Sequence, residues 1–225
     1  MNSVSDSQIK THINEWKKKD FKEILIVGNG DDLLDAPVGL FWDDRYFKIG
    51  INRAYLLGIM DCCVTMDKPH LLERFNDWGG RTLLIYPRTK IQGSQLPIHR
   101  IGSLDKFKEN INENLPLLYR RKNSLYPCLD LACRLSEKEK PITMIGVSFT
   151  RKWHFYKDKF NQDEKYSSKK KLFMDTGSPK EKEMLNIIDF IVDEGYVLRY
   201  TDTSKVLSKT KATKIQYSHL KYSKE

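Results

Sequence analysis

Residues 23–30 read Glu-Ile-Leu-Ile-Val-Gly-Asn-Gly, and the reading of this octapeptide decides the fold. Ile24 to Val27 form an apolar run too short for a helix, closed by a glycine-bracketed turn; that is the pattern of a buried strand and its exit loop. Outward from it, short runs of the same kind recur at 48–52 (KIGIN), 61–67 (DCCVTMD), 81–87 (RTLLIYP), 141–149 (PITMIGVSF) and 195–201 (GYVLRYT). Between them lie helix-like stretches: AYLLG after Asn52, PHLLERFNDW after Asp67, CLDLACRLSEKE at 128–139 and SPKEKEMLNIIDFIVDEG at 178–195. The last has the clearest punctuation, with Ser178 as N-cap, Pro179 in the first turn, Glu181 as the capping-box acid and Gly195 as the stop. Ahead of the first strand, Ile9, Ile13 and Trp16 at helical spacing predict a short amphipathic helix over 8–19. Strands alternating with helices imply parallel βαβ units, so the expected fold class is α/β: a doubly wound, mainly parallel sheet with helices on both faces.

The chain has 225 residues, 39 Lys plus Arg against 30 Asp plus Glu, and a formal net charge of +9. With 40% hydrophobic and 11% aromatic residues it is too apolar for a disordered chain, and 31% charged residues exclude a membrane-embedded one. No window approaches the roughly 18 consecutive apolar residues of a membrane span, and MNSVSDSQIKTHINEW lacks the apolar core of a signal peptide. A cytoplasmic protein with no membrane partner is expected. Cys62, Cys63, Cys128 and Cys133 form no CxxC pair and match no common zinc spacing; they read as buried thiols of a reducing compartment.

Two stretches break the alternation. Residues 151–173 carry Arg151 and seven lysines interspersed with Trp153, His154, Phe155, Tyr156, Phe160 and Tyr166, and suggest a basic aromatic lid over about 151–175. Residues 205–225 hold six lysines and one acid, Glu225, and read as a weakly ordered basic C-terminal extension to a single domain spanning 1–204.

In an open α/β sheet, ligands bind outside the carboxyl ends of the strands, and the first strand-to-helix turn supplies N–H groups for phosphate. Gly28, Asn29 and Gly30 occupy that position, although GNG is neither GxGxxG nor a Walker element and serves equally as a tight turn. Asn52 ends the second strand, where its amide reaches a ribose or base edge or caps the strand exit. Asp67 ends the third, where it meets a sugar hydroxyl or caps the following helix. Asp31 with Asp32, Asp43 with Asp44, and Asp202 between two threonines lack the Asp-x-Asp form at a strand end, so no metal site is expected.

ILIVGNG, then IGIN, then KNSLYPCLDLA leading through PITMIGVSF to WHFY resembles the bacterial sialyltransferases and related glycosyltransferases, as ordered landmarks over roughly residues 23–200. The resemblance implies a Rossmann-like glycosyltransferase that uses a nucleotide-sugar co-substrate and no metal or other cofactor. By position, Gly28, Asn29 and Gly30 would cradle the donor phosphate, Asn52 would contact the nucleoside, and Ser124 would lie near the phosphate or sugar. Tyr156 falls where the family places a phenol on the departing phosphate, and Arg121 matches a basic residue near the sugar or acceptor. Such groups suit the reaction, because the growing negative charge of a leaving nucleotide must be met by donors and cations placed in advance.

The chain departs from that family at several points. The acid of its IGxDF strand is Ser148 here, the first of its two tyrosines is Thr150, and its Ser-Gly is Ser124-Leu125. The catalytic histidine before the last helix is missing, and MDTGSP offers Asp175 in its place, with His154 second, as the base that an attacking hydroxyl requires. The basic aromatic lid, with Trp153 at its head, and the lysine tail flank the expected acceptor side. That favours a hydroxymethylated base in double-stranded DNA as acceptor, as for bacteriophage DNA glycosyltransferases acting on hydroxymethylcytosine. A sialyltransferase-like enzyme acting on a surface glycan and a non-catalytic nucleic-acid-binding module are the alternatives.

Overall fold

The computed structural model describes residues 6–64, 83–85, 107–108, 111, 123–147, 149, 178–201 and 206–220. Seven strands form one sheet: β1 (Glu23–Val27), β2 (Tyr46–Ile51), β3 (Cys62–Val64), β4 (Leu83–Ile85), β5 (Ile142–Ile145), β6 (Leu198–Tyr200) and β7 (Thr213–Lys214). Every neighbouring pair is parallel, in the order β4-β3-β2-β1-β5-β6-β7. The chain steps outward from β1 to β4 and then lays β5 on the other side of β1. The boundary between β1 and β5 is therefore where the strand order reverses, and in open parallel sheets that point leaves a crevice at the carboxyl edge.

β1 is apolar throughout because both its faces are covered, as a central parallel strand requires. Ile24 and Ile26 point into one core, and Leu25 and Val27 into the other. The first core lies beneath α1 (Asp6–Lys17), α2 (Leu125–Ser136) and α3 (Pro179–Asp193). Ile13 and Trp16 anchor α1 as their spacing predicts. Every residue of α2 is buried, including Asp130 and Arg134, whose guanidinium Nε donates to Asp130 Oδ1 at 2.7 Å across one helical turn. A helix apolar on nearly all sides is packed on all sides, and its one charged pair satisfies itself internally. Ser178 caps α3 by accepting the Glu181 N–H at 3.2 Å, as the sequence grammar predicts. The Glu181 carboxylate, however, pairs with Lys209 at 2.6 Å.

The second core differs from expectation. Among the described residues it is covered by short 3₁₀ turns at Asp31–Asp35, Val38–Phe41 and Ala54–Leu56. Pro37 and Gly39 in the β1–β2 connection prevent a continuous α-helix there, so Leu33, Ala36, Leu40 and Phe41 reach the sheet from successive tight turns.

The C-terminal residues also differ. Described residues 206–220 are an integral part of the domain: they supply β7, bury Leu207 and Ala212 against the helical core, and bury Leu220 in the second core. The lysine count hid this, because the apolar anchors are few and widely spaced. Lys209 meets Glu181 and Lys211 meets Asp193, so two of the lysines neutralise acids of α3.

Candidate functional site

At the reversal point the two exit loops are bonded to each other. The Gly28 N–H donates to Ile145 O at 2.7 Å and the Gly30 N–H to Gly146 O at 2.8 Å, carrying the β1–β5 pairing past the strand ends. Asp32, two residues on, accepts the Gly146 N–H through Oδ2 at 3.2 Å. These contacts explain the glycines. A Cβ on Gly28 would lie 2.0 Å from Gly146 O, one on Gly30 would lie 2.5 Å from Asp32 Oδ1, and Gly146 adopts φ +65 with Leu33 Cγ 2.5 Å from where its Cβ would be. At Gly28 a side chain is excluded by backbone approaching backbone, at Gly30 first by the Asp32 carboxylate, and at Gly146 by the Leu33 side chain together with the positive φ.

This changes the expected phosphate cradle. Two of the three turn amides, those of Gly28 and Gly30, are committed to carbonyls of the β5 exit, and the turn leads into a five-residue 3₁₀ segment instead of an α-helix. Neither the free amides nor the helix dipole that would attract a phosphate is offered by those two glycines. Asn29 is buried between them.

One strand over, Asn52 closes β2. Its N–H donates to Val64 O at 3.0 Å, extending the pairing with β3, and it sits in the left-handed region at φ 52. Asn accepts that conformation more readily than other L residues because its short polar side chain bonds locally. Here the side chain bonds across the fold, with Ser124 Oγ donating to Asn52 Oδ1 at 3.1 Å over 72 residues of sequence. Ser124 is buried immediately before α2, and Asn123 takes over the capping role by accepting the Leu125 N–H at 2.9 Å. A serine in the N-cap position thus has its hydroxyl directed to the sheet edge.

Backbone strain falls at the same edge. Of the four described non-glycine residues with positive φ, Glu137 and Lys138 end α2, where a left-handed residue terminates a helix. The other two are Asn52 and Phe149, which follow β2 and β5. A bulky residue such as Phe149 at φ 53 is a true outlier, of the kind that gathers at functional sites. Thr201 ends β6 on the same edge, its N–H donating to Met144 O at 3.1 Å, and its Oγ1 is enclosed without a hydrogen-bond partner among the described residues.

The carboxyl edge therefore carries Asn29, Asn52, Ser124 and Thr201 along the exits of β1, β2 and β6 and the start of α2, a set rich in amide and hydroxyl groups. Gly28, Asn29, Gly30, Asn52 and Ser124 are brought to this edge; Asp67, Arg121, Trp153, His154, Tyr156 and Asp175 lie outside the described residues. Sequence reasoning missed Gly146 and Phe149, and weighed Asp32 and Thr201 only as parts of a metal reading that it set aside. Only Gly146, in the run ITMIGV, carried a local signal, a glycine at a strand end.

Among the paired acids, Asp43 is buried and bound by Arg45, with Nη2 to Oδ2 at 2.5 Å and Nε to Oδ1 at 3.0 Å, and Asp32 holds the Gly146 amide. Lys48, on β2, is buried; desolvation pulls its ammonium below the ordinary value, and its Nζ donates to Asp43 O at 2.8 Å. All four cysteines are free and buried, and burial pushes each thiol up, away from the reactive thiolate form.

The chain matches no family model, no curated protein and no solved structure.

Proposed function

We propose that the protein is a glycosyltransferase that moves a sugar from a nucleotide-sugar donor to a hydroxyl acceptor. The observation that carries this reading is the Asn52–Ser124 hydrogen bond at the carboxyl edge beside the strand-order reversal. Two residues that the resemblance assigns to one donor crevice, one at a strand exit and one before a helix, meet at the edge where open parallel sheets bind nucleotides. In this reading the fold is a doubly wound Rossmann-like domain whose lid spans about 151–175.

Asn52 and Ser124 read the nucleoside and the sugar or adjacent phosphate, with Asn29 at the same edge and Asp67 assigned to a sugar hydroxyl by its place in the sequence after the third strand. With the Gly28 and Gly30 amides committed to the β5 exit, the leaving nucleotide's charge falls to Arg121 and Tyr156, and no metal takes part. Asp175, or in second place His154, removes the proton of the attacking hydroxyl as it bonds to the anomeric carbon and the nucleotide departs. The acceptor proposed is a hydroxymethylated base in duplex DNA, contacted by the basic aromatic segment 151–171 with Trp153 stacking. A glycan acceptor is the second reading. It is favoured by the pairing of Lys209 and Lys211 with acids of α3, which removes two tail lysines from the charge available to phosphate.

The test is a thermal-shift panel of nucleotides and nucleotide sugars, followed by mass detection of sugar transfer to hydroxymethylated DNA, unmodified DNA and oligosaccharides. Transfer lowered about a hundredfold or more by Asp175→Asn, with donor affinity kept, supports the reading. Transfer to oligosaccharides alone selects the second acceptor. Nucleic-acid binding with no nucleotide shift and no transfer replaces the enzyme with a binding module.

A further inference from the structure

Asn29–Gly30 is the one Asn-Gly step in the chain. Asn-Gly is the most reactive of the Asn peptide bonds, because glycine has no side chain to shield its backbone nitrogen. The usual reason for such a step is a turn with positive φ. That reason is absent here, since Gly30 sits at φ -65 and ψ 158, extended backbone open to any residue. What requires glycine is the clamp: a Cβ at position 30 would lie 2.5 Å from Asp32 Oδ1 and 3.0 Å from Gly146 O. The packing that joins β1 to β5 thus forces a chemically labile pair into the exit loop.

The reaction open to this pair needs only the chain and water. The Gly30 nitrogen, losing its proton, attacks the side-chain amide carbon of Asn29; ammonia leaves and a five-membered succinimide forms. Water then opens the ring at one of its two carbonyls. Breaking the new bond to the side-chain carbon leaves aspartate, and breaking the original peptide bond leaves isoaspartate. One water enters, one ammonia departs, and nothing is oxidised or reduced.

In the folded chain every requirement of the first step is opposed. The Gly30 N–H donates to Gly146 O at 2.8 Å, so the nitrogen cannot turn toward the side chain without breaking that bond. The Gly28 N–H on Ile145 O at 2.7 Å and the Gly146 N–H on Asp32 Oδ2 at 3.2 Å fix the loop on both sides. The Asp32 carboxylate beside Gly30 opposes ionisation of its amide. Asn29 itself is 8% exposed.

We propose that Asn29–Gly30 is a self-modification site that the β1–β5 clamp holds off and that reacts when the clamp opens locally. The product keeps the clamp open. Isoaspartate lengthens the main chain by one carbon between Gly28 and Gly30, so the bonds to Ile145 and Gly146 cannot both re-form, and either product adds a negative charge beside Asp32. The carboxyl edge thereby records how often its floor has opened. The inference is independent of the proposed enzyme activity.

The full chain is incubated in water labelled with heavy oxygen at mildly alkaline pH, and its tryptic fragment 23–45 is weighed at intervals. A synthetic 23–45 peptide and the urea-unfolded chain are followed beside it. Opening against three hydrogen bonds, each worth about fivefold, should make the folded chain react on the order of a hundredfold more slowly than the peptide. Sub-denaturing urea should leave that rate unchanged, because a local opening exposes little surface. Asp32→Ala, compared with its own 23–45 peptide, should react about fivefold faster or more. A folded chain that reacts as fast as the peptide, or an Asp32→Ala chain with the wild-type rate, overturns protection by the clamp. A folded chain that never reacts, or whose rate climbs with urea in step with global unfolding, overturns the local opening; that series needs no variant to fold. An isolated isoaspartyl form as stable to urea as the unreacted chain overturns the altered product.

Discussion

Asn52 links backbone strain, a long-range hydrogen bond and the proposed donor site, so its substitution separates the three. Ser124→Ala removes the 3.1 Å bond and leaves the backbone alone, at a cost of about 0.5–1.5 kcal/mol. Asn52→Ala removes the same bond and also places a β-carbon residue at φ 52 without a polar side chain, adding about 1–2 kcal/mol. Asn52→Gly removes the bond but relieves the conformation, while its freer unfolded chain returns about 0.5–1 kcal/mol of that relief. The expected order of stability is Ser124→Ala, then Asn52→Gly, then Asn52→Ala, with a gap of about 0.5–1 kcal/mol between the last two. Urea unfolding with a common slope resolves that gap. The same three variants are then titrated with nucleotides. At a ligand concentration of about 100 Kd the wild-type protein gains about 2.7 kcal/mol, and a tenfold weaker site loses about 1.4 kcal/mol of that gain. All three variants should lose it alike, whatever their own stability. Equal stability of Asn52→Ala and Asn52→Gly would refute the strain argument. An undiminished nucleotide response in Asn52→Gly would reduce the pair to a structural contact.

Three further outcomes follow from the described structure. Truncation after Tyr200 removes the buried Leu207 and Leu220, worth about 3–6 kcal/mol, and strips Lys209 from the buried Glu181; a truncated protein as stable as the full chain by urea unfolding would restore the picture of a loose extension. Arg134→Met leaves Asp130 charged inside the helical core and should cost about 3–5 kcal/mol, whereas Asp130→Leu/Arg134→Met should regain most of it, as measured by chemical denaturation. Burial raises the Glu23 carboxyl above its ordinary value against the opposing pull of the Thr143 hydroxyl and Arg199, so the folded state binds the proton more tightly than the unfolded one and stability falls as pH rises through that range. Glu23→Gln should therefore stabilise the protein at pH 7, and the gain should vanish below about pH 4.3; a constant gain across pH would show that the charge is not its source.

All six strands expected from apolar runs are present, because a strand buried on both faces leaves a dense local mark that needs no knowledge of its neighbours. What was illegible depended on contacts between distant segments. Thr213 and Lys214 are exposed and polar; they form a strand only because β6 supplies an open edge. The connection at 31–41 has the composition of a helix start, yet Pro37 and Gly39 divert it into 3₁₀ turns. At the candidate site, Asn52 was legible as a strand exit, whereas Ser124 entered only through the family resemblance, because the helix expected from periodicity began at Cys128 and the observed one begins at Leu125. Asp32 was not legible: alongside Asp31 it resembled half of a metal pair, and its role as clamp exists only because β5, 114 residues later, lies beside β1.

The glycines carry the sharpest lesson about inference. A glycine at the first strand exit means that something approaches the backbone too closely for a β-carbon, and sequence alone does not say what. Phosphate and a neighbouring loop make the same demand, but they leave the amides in opposite states. A phosphate site keeps its N–H groups directed at the ligand, whereas here the Gly28 and Gly30 groups donate to Ile145 and Gly146. The clamp they form is rigid by construction, since displacing either loop breaks three hydrogen bonds, including the one from Gly146 to Asp32. In the proposed enzyme the reversal point serves as a fixed floor, the amide and hydroxyl groups of Asn52, Ser124 and Thr201 are the hydrogen-bonding groups, and the charge of the phosphate is assigned to cationic and phenolic side chains from elsewhere in the chain. This gives Arg121 and Tyr156 of that enzyme a larger share of transition-state stabilisation, because the Gly28 and Gly30 amides are already committed to the β5 exit.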